Sequence, residues 1–105
     1  MNKKFEILGN DENLNKDDFY QSFKEKLEET HSFPTDYIFK YVAPSEQSIL
    51  VKIYSVFEQA NGSLSTRESK NGKFTSVTIK VPVNSADEVI AYYKEGEKID
   101  GIMTL

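Results

Sequence analysis

The chain of 105 residues contains no cysteine and no tryptophan, and it has a single histidine, His31. Without cysteine there can be no disulfide, no thiolate catalysis and no Cys-ligated zinc or iron-sulfur site. His31 has no second histidine with which to share a metal, and a cation near a helix C-terminus explains its presence. The sequence therefore predicts neither a metal site nor a cofactor.

Long apolar runs and an excess of basic charge are also missing. Residues 1–10 hold two lysines and a broken apolar run, which matches neither a signal peptide nor a membrane span. We expect an unprocessed, soluble, cytoplasmic protein with no membrane partner. The 13 Lys and Arg against 17 Asp and Glu give a net charge of -4. A phosphate backbone usually requires a basic footprint, so nucleic acid is disfavoured as a partner.

The N-terminal third has its own pattern. Residues 1–14 show little periodicity and several turn formers, so we predict a flexible arm. Residues 15–33 are predicted to form a helix capped by Asn15 and ended before Pro34, because the residue preceding proline favours extended geometry. Its apolar stripe recurs every four residues at Phe19, Phe23 and Leu27. This stripe is expected either to cover the flank of the next helix or to form a dimer contact.

The strongest local signal is the pair Asn71 and Gly72, which lies between two extended segments within residues 62–83. A type I′ hairpin turn needs positive φ at both central residues, and Asn-Gly meets this need best. The resulting register pairs Glu68 with Thr75. Its predicted buried side is Leu64, Thr66, Val77, Ile79 and Val81. Its predicted open side has Ser65, Arg67 and Ser69 facing Thr78, Ser76 and Phe74.

The remaining elements complete a recognisable order. A strand at 37–42 precedes a helix that runs from a Ser45 cap to about Ala60 and ends at a left-handed Gly62. A second helix opens at a capping box of Ser85 and Glu88 and closes at Gly96, and the last strand spans 99–105. Its predicted inner side is Ile99, Gly101, Met103 and Leu105.

This order predicts an α+β protein with a ferredoxin-like βαββαβ fold over residues 34–105, preceded by the N-terminal helix. Right-handed crossovers place both later helices on one face of a four-stranded antiparallel sheet. The other face is left open. Its predicted apolar patch consists of Ile38, Val42 and Ile102.

Arg67 is the only arginine, and the predicted register places it on the open face among hydroxyl groups. A planar guanidinium among hydroxyls can hold a carboxylate or phosphate. The other interpretation is a solvated strand residue, since exposed charges on strands are ordinary. The candidate binding residues are Arg67, Ser65, Ser69, Ser76 and Thr78.

Two other function classes compete with a binding module. Residues 72–79 faintly echo the RNP1 motif of an RNA-binding RRM domain, which shares this topology. However, the second stacking position is Ser76, and the first strand turns Ile38 and Lys40 outward in place of aromatic rings. An enzyme is disfavoured because no nucleophile and base, metal cluster or phosphate loop can be assembled. The acidic pairs Asp17-Asp18 and Asp87-Glu88 lie in predicted first turns, where helix capping explains them.

Three short motifs occur at characteristic spacing: Phe33-Pro34-Thr35 before an aromatic strand, Ser69 and Gly72 followed by Phe74, Ser76 and Val77, and Lys98-Ile99-Asp100. Together they resemble the YbeD-like family of small bacterial proteins of unknown function, over residues 33–105. The resemblance implies a ferredoxin-like fold similar to ACT regulatory domains. It also implies a non-catalytic regulatory role with an unknown protein or small-molecule ligand.

The turn after the first predicted strand departs from that pattern. It reads Ala43-Pro44-Ser45, whereas ligand-binding ACT domains usually place a glycine there, which argues against amino-acid binding at this turn. The sequence leaves the oligomeric state open between a monomer and a homodimer.

Overall fold

The computed structural model describes residues 16–105. The predicted arm at 1–14 and the predicted cap Asn15 lie outside the described residues. The chain divides into two units, residues 1–31 and 32–105, and each is described by itself.

In the first unit, helix α1 spans Lys16–Thr30. The ring of Phe19 contacts those of Tyr20 and Phe23, with centroids 5.3 Å and 6.2 Å away. Tyr20 and Leu27 are buried. The predicted N-terminal helix is therefore present, and Tyr20 belongs to its apolar side. The last turn is closed by the Thr30 hydroxyl, which donates to the Lys26 carbonyl at 2.9 Å.

The second unit contains the sheet and the two other helices of the described residues. In chain order its elements are β1 (Thr35–Pro44), α2 (Gln47–Phe57), β2 (Ser63–Glu68), β3 (Phe74–Val83), α3 (Ala86–Gly96) and β4 (Met103–Thr104). The strand order is β2-β3-β1-β4, and every neighbouring pair is antiparallel. The predicted βαββαβ fold with a preceding helix is confirmed.

The core lies between the sheet and the two helices and is centred on Phe39 of β1. Its ring lies 5.1 Å from Phe57 of α2, and 5.5 Å and 5.0 Å from Tyr92 and Tyr93 of α3, measured between centroids. Because both helices contact the same side chain, both lie on one face of the sheet, as predicted. Ile38, the next residue along β1, is exposed on the other face.

The hairpin register is confirmed, but the predicted two-residue turn is wrong. Glu68 pairs with Thr75 and Leu64 with Ile79, as the alternation required. However, Asn71 does not have positive φ, and Gly72 does, at 74°. The Gly72 N–H donates to the Ser69 carbonyl at 2.9 Å, so the loop is longer than a type I′ turn. Asn71 Oδ1 explains this, because it accepts the Lys73 N–H at 3.0 Å and fixes a side-chain-bonded turn.

The predicted buried side of the hairpin is only half right. Val77, Ile79 and Val81 of β3 are buried, whereas Leu64 and Thr66 of β2 are exposed. The reason is topological, because α2 packs on β1 and α3 packs on the adjacent strand β3. The edge strand β2 therefore has no helix above it, and all six of its residues are exposed.

Two predicted helix boundaries have different causes from those expected. Ser45 does not cap α2; the cap position is Glu46. Instead, the Ser45 hydroxyl bonds to that of buried Thr75 at 2.7 Å and ties the loop to β3. Gly62 has no positive φ, and its role is to let the backbone pass against the Lys80 carbonyl oxygen.

The predicted capping box is half formed. Ser85 Oγ accepts the Glu88 N–H at 3.3 Å, as expected. The Glu88 carboxylate, however, reaches back to the Asn84 N–H at 2.9 Å and not to the N–H of Ser85. The first bond satisfies an amide of the first helical turn, and the second ties the residue before the cap to the helix.

The predicted last strand is too long, and its faces are exchanged. Residues 97–101 form turns, and only Met103 and Thr104 pair with β1. Since Met103 lies opposite Val42, its side chain is on the open face, while Thr104 lies opposite Tyr41 on the helix face. The prediction had placed Thr104 outward and Met103 inward. It was wrong because a turn in front of a short strand resets the alternation of its side chains.

Candidate functional site

The open face of the sheet carries a row of side chains that crosses all four strands. Met103 lies opposite Val42, Val42 opposite Ser76, and Ser76 opposite Arg67. The neighbouring row contains the pairs Lys40 with Thr78 and Thr78 with Ser65. The five predicted site residues therefore all lie on β2 and β3 or directly beside them, but they occupy different rows.

A depression of about 500 Å³ lies at the hairpin end of this face. It is lined by Val42, Arg67, Glu68, Ser69, Lys70, Phe74 and Ser76. The structure thus brings together the predicted residues Arg67, Ser69 and Ser76. Ser65 and Thr78 do not line the depression.

The hydroxyls in the depression are already engaged by the protein. Ser69 Oγ donates to Asn71 Oδ1 and accepts the Phe74 N–H, both at 3.1 Å. Ser76 Oγ donates to the Arg67 carbonyl at 3.4 Å. Ser69 therefore holds the hairpin turn, which makes Arg67 the main ligand-binding candidate. Within residues 16–105 its guanidinium makes no hydrogen bond or ion pair that would occupy it.

Sequence reasoning placed Phe74 on this face correctly, but it missed Met103 and Leu105. Met103, Leu105 and Phe74 are 60%, 64% and 50% exposed, and the Leu105 N–H continues the pairing by donating to the Lys40 carbonyl. Of the predicted patch, Ile38 is exposed, whereas Val42 and Ile102 are half-buried. The alternation within 99–105 was the available signal, but it gave the wrong face because the register depends on the preceding turn.

The open face is basic although the chain as a whole is acidic. Lys40, Arg67 and Lys80 project from it, and Lys70 lies at its hairpin end. Asp36 faces the same side at the far end of β1, where its carboxylate lies 3.9 Å from Lys80 Nζ. The central and hairpin regions of the face therefore favour an anionic ligand.

A second group of polar atoms lies in the core on the helix face. The hydroxyls of Tyr37 and Tyr93 are 3.2 Å apart, and the buried Tyr41 hydroxyl has no hydrogen-bond partner among the described residues. Burial raises the pKa of Tyr41 to about 12. Burial, together with the hydrogen bond between the Tyr93 and Tyr37 hydroxyls, also raises the pKa of Tyr93. The phenols of Tyr41 and Tyr93 therefore stay protonated at neutral pH.

The buried Tyr41 should make stability depend on alkaline pH. In the unfolded chain its phenol ionises near pH 10, but in the folded protein only near pH 12. Its contribution is therefore complete below pH 10 and is lost as pH rises to 12, by about 2–3 kcal/mol in total. Between pH 9 and 11, the free energy of unfolding measured with urea should fall by about 1 kcal/mol less in Tyr41→Phe than in wild type. Equal losses in both proteins would contradict this assignment.

Metal-holding clusters and membrane-spanning helices are absent from the described part of the chain. Among residues 16–105, no group of three or more His, Cys, Asp or Glu side chains is arranged to hold a metal. No helix in that range combines the length and apolar content that a membrane span needs.

Fold and site together define a small α+β domain of the ferredoxin-like class, with helices on one face of the sheet and an open, basic and partly apolar second face. The chain belongs to the family described as "Protein of unknown function (DUF493)", whose model matches residues 28–105. The resemblance to YbeD-like proteins is thereby confirmed.

Two relatives support this membership, and one solved structure shares the fold. UPF0250 proteins of Shewanella baltica and Shewanella oneidensis are each 31% identical over 80 residues, which is 73% of this chain and 91% of theirs. The solution structure of protein HP0495 from H. pylori superposes with a TM-score of 0.58 at 22% identity. The superposition covers 72% of this chain and 86% of the HP0495 chain, and at 22% identity it shows a shared fold alone.

Proposed function

We propose that this protein is a non-enzymatic binding module whose open sheet face docks an acidic segment of a partner protein. The observation that supports this most strongly is the row from Met103 to Arg67, which joins exposed apolar surface to a guanidinium that has no partner among residues 16–105. Aromatic residues, Met and Arg are the types enriched at protein interfaces. The similarity to ACT domains implied by the sequence suggests that this binding regulates the partner, and the cytoplasm is its proposed location.

Charge favours an acidic partner. The chain has a net charge of -4, yet the open face presents Lys40 on the inner strand β1 and Arg67 on the edge strand β2. Complementary charge steers association and excludes wrong partners. A carboxylate can accept two parallel N–H bonds from Arg67, which is the geometry that distinguishes arginine from lysine. Phe74 of β3 and Met103 of β4 are exposed on the same face and would supply apolar contact area.

A pull-down from bacterial cytosolic extract tests the proposal. Arg67→Ala should reduce capture of a protein partner at least about tenfold, because an arginine that acts as an interface hot spot costs about 2 kcal/mol or more when it is truncated. Lys52→Ala is the matched control, since it removes one exposed cation from α2 on the covered side of the sheet and should leave capture unchanged. The melting temperature of Arg67→Ala should stay within about 2 °C of wild type.

RNase treatment in parallel separates the alternative function. A protein partner that survives RNase and is lost in Arg67→Ala supports the proposed interface. Capture of nucleic acid alone, or of partners that RNase removes, would replace it with the RRM-like interpretation. A large loss of thermal stability in Arg67→Ala would show that Arg67 is structural and would remove the basis for the proposed site.

A further inference from the structure

The edge of β2 offers a second mode of recognition that the open face does not require. We propose that this edge binds an extended peptide of alternating apolar and acidic residues, which adds to the sheet as a fifth, antiparallel strand. Adding a strand gives affinity through main-chain hydrogen bonds and specificity through alternate side chains.

The hydrogen-bond pattern shows which backbone groups are available. The Ser69 N–H donates to the Phe74 carbonyl at 2.8 Å, which makes these two residues a hydrogen-bonded pair. In an antiparallel ladder such pairs alternate, so residues 63, 65 and 67 direct their amides toward β3. Leu64, Thr66 and Glu68 therefore direct theirs outward. Since β2 is the last strand of the sheet formed by the described residues, this edge has no strand beside it there.

The edge also lacks the usual protection against strand addition. Natural edge strands are blunted by proline, by bulges or by charged side chains, lysine above all, and β2 carries only one charge of each sign, Arg67 and Glu68. Residues 63–68 contain no proline and no lysine, and their register with β3 runs without a bulge. A peptide strand can therefore approach over the full length of β2.

A groove on the helix side of β2 suits apolar side chains of such a peptide. It has a volume of about 310 Å³ and is lined by Tyr54, Phe57, Glu58, Ala60, Gly62, Ser63, Leu64 and Ile79. Leu64 is 46% exposed there, because no helix covers β2. In antiparallel pairing, a residue opposite Leu64 or Thr66 points its side chain to this side and its amide to β2.

Arg67 determines the preference on the other side of the added strand. The intervening peptide residues point to the open face, where an acidic side chain can reach the guanidinium of Arg67. A second copy of this chain fits less well. Pairing two β2 strands about Thr66 would bring both Arg67 side chains to the same face without an acidic partner.

The test uses a fluorescein-labelled octapeptide of alternating valine and glutamate and measures binding by fluorescence anisotropy. Thr66→Pro removes one outward N–H at a position where an edge strand tolerates proline, and it should raise the Kd at least tenfold. The control Thr66→Val keeps that N–H and should stay within twofold of wild type. Replacing the peptide's glutamates with lysine should also weaken binding at least tenfold.

A peptide-side measurement keeps the test decisive if Thr66→Pro unfolds. N-methylation of the valines, whose amides face β2, should abolish binding, and N-methylation of the glutamates should leave it within a few-fold. No binding at millimolar peptide, or equal binding by both methylated peptides, would overturn the proposal. A dimer in analytical ultracentrifugation that Thr66→Pro dissociates would also overturn it, because a second copy would then occupy the edge.

The proposed peptide site at the edge of β2 and the proposed docking surface on the open face can be tested independently. Thr66 lies outside the open face, so Thr66→Pro leaves the row from Met103 to Arg67 intact. Met103→Ser changes that row and leaves the edge of β2 intact. It should weaken partner capture in the pull-down and leave octapeptide binding unchanged.

Discussion

Replacing Phe39 with alanine is expected to lower the free energy of unfolding by about 3–5 kcal/mol, the typical cost of truncating a buried aromatic side chain. Phe39 is fully buried and its ring contacts Tyr37 as well as rings of both helices that cover the sheet. The alanine variant leaves a cavity where α2, α3 and β1 meet. Urea unfolding followed by circular dichroism measures the loss.

Ile38→Ala provides a matched control on the same strand. Ile38 is 55% exposed on the opposite face, so its truncation should change the free energy of unfolding by about 0.5 kcal/mol or less. Similar losses for Phe39→Ala and Ile38→Ala would mean that the helices do not pack on the face of β1 that carries Phe39. Both substitutions lie in the same strand, so a difference in strand propensity cannot explain the expected contrast.

Gly62→Ala is expected to destabilise the protein by about 2–3 kcal/mol, the usual cost of forcing extra atoms into a closely packed position. A Cβ at this position would overlap the Lys80 carbonyl oxygen and lie 3.3 Å from the Val81 Cα. These are backbone atoms of the central strand β3, so they cannot move aside as a flexible side chain would.

The neighbouring residue separates this steric effect from a general effect of substitution. Asn61 is exposed, and Asn61→Ala should change stability by about 0.5 kcal/mol or less. Gly62→Ala also restricts the unfolded chain, which alone would stabilise the protein by about 0.4–1 kcal/mol. A stabilised Gly62→Ala variant in thermal unfolding would therefore show that the approach of β2 to β3 is looser than described.

The architecture could be predicted from the sequence because alternation and element order determine it at many positions at once. The register of Leu64 with Ile79 was recovered even though the turn type was wrong, because the observed loop is still centred on Asn71 and Gly72. The turn itself depended on one side chain. Asn71 used its Oδ1 to accept the Lys73 N–H, and no dipeptide rule distinguishes this from a type I′ turn.

The candidate site was less predictable, because it depends on how far the helices extend over the sheet. Periodicity assigned Leu64 to the covered face but could not show that β2 lies beyond the helices. The register of Met103 depended on turns at 97–101, which alternation does not encode. Arg67, Phe74 and Val42 could be placed on the open face from the sequence, but Met103 and Leu105 could not.

The short pairing of β4 has a consequence for how the molecule assembles. The hairpin joins β2 to β3 through a loop of a few residues, whereas Val42 and Met103 come from opposite ends of the second unit. Closing a long loop costs more chain entropy, and here only two paired residues offset that cost. The pairing that holds Met103 in its row is therefore the shortest of the three strand pairings in the sheet. A partner bound across this row would stabilise the pairing of β4 with β1, because part of its binding free energy would depend on Met103 being in place.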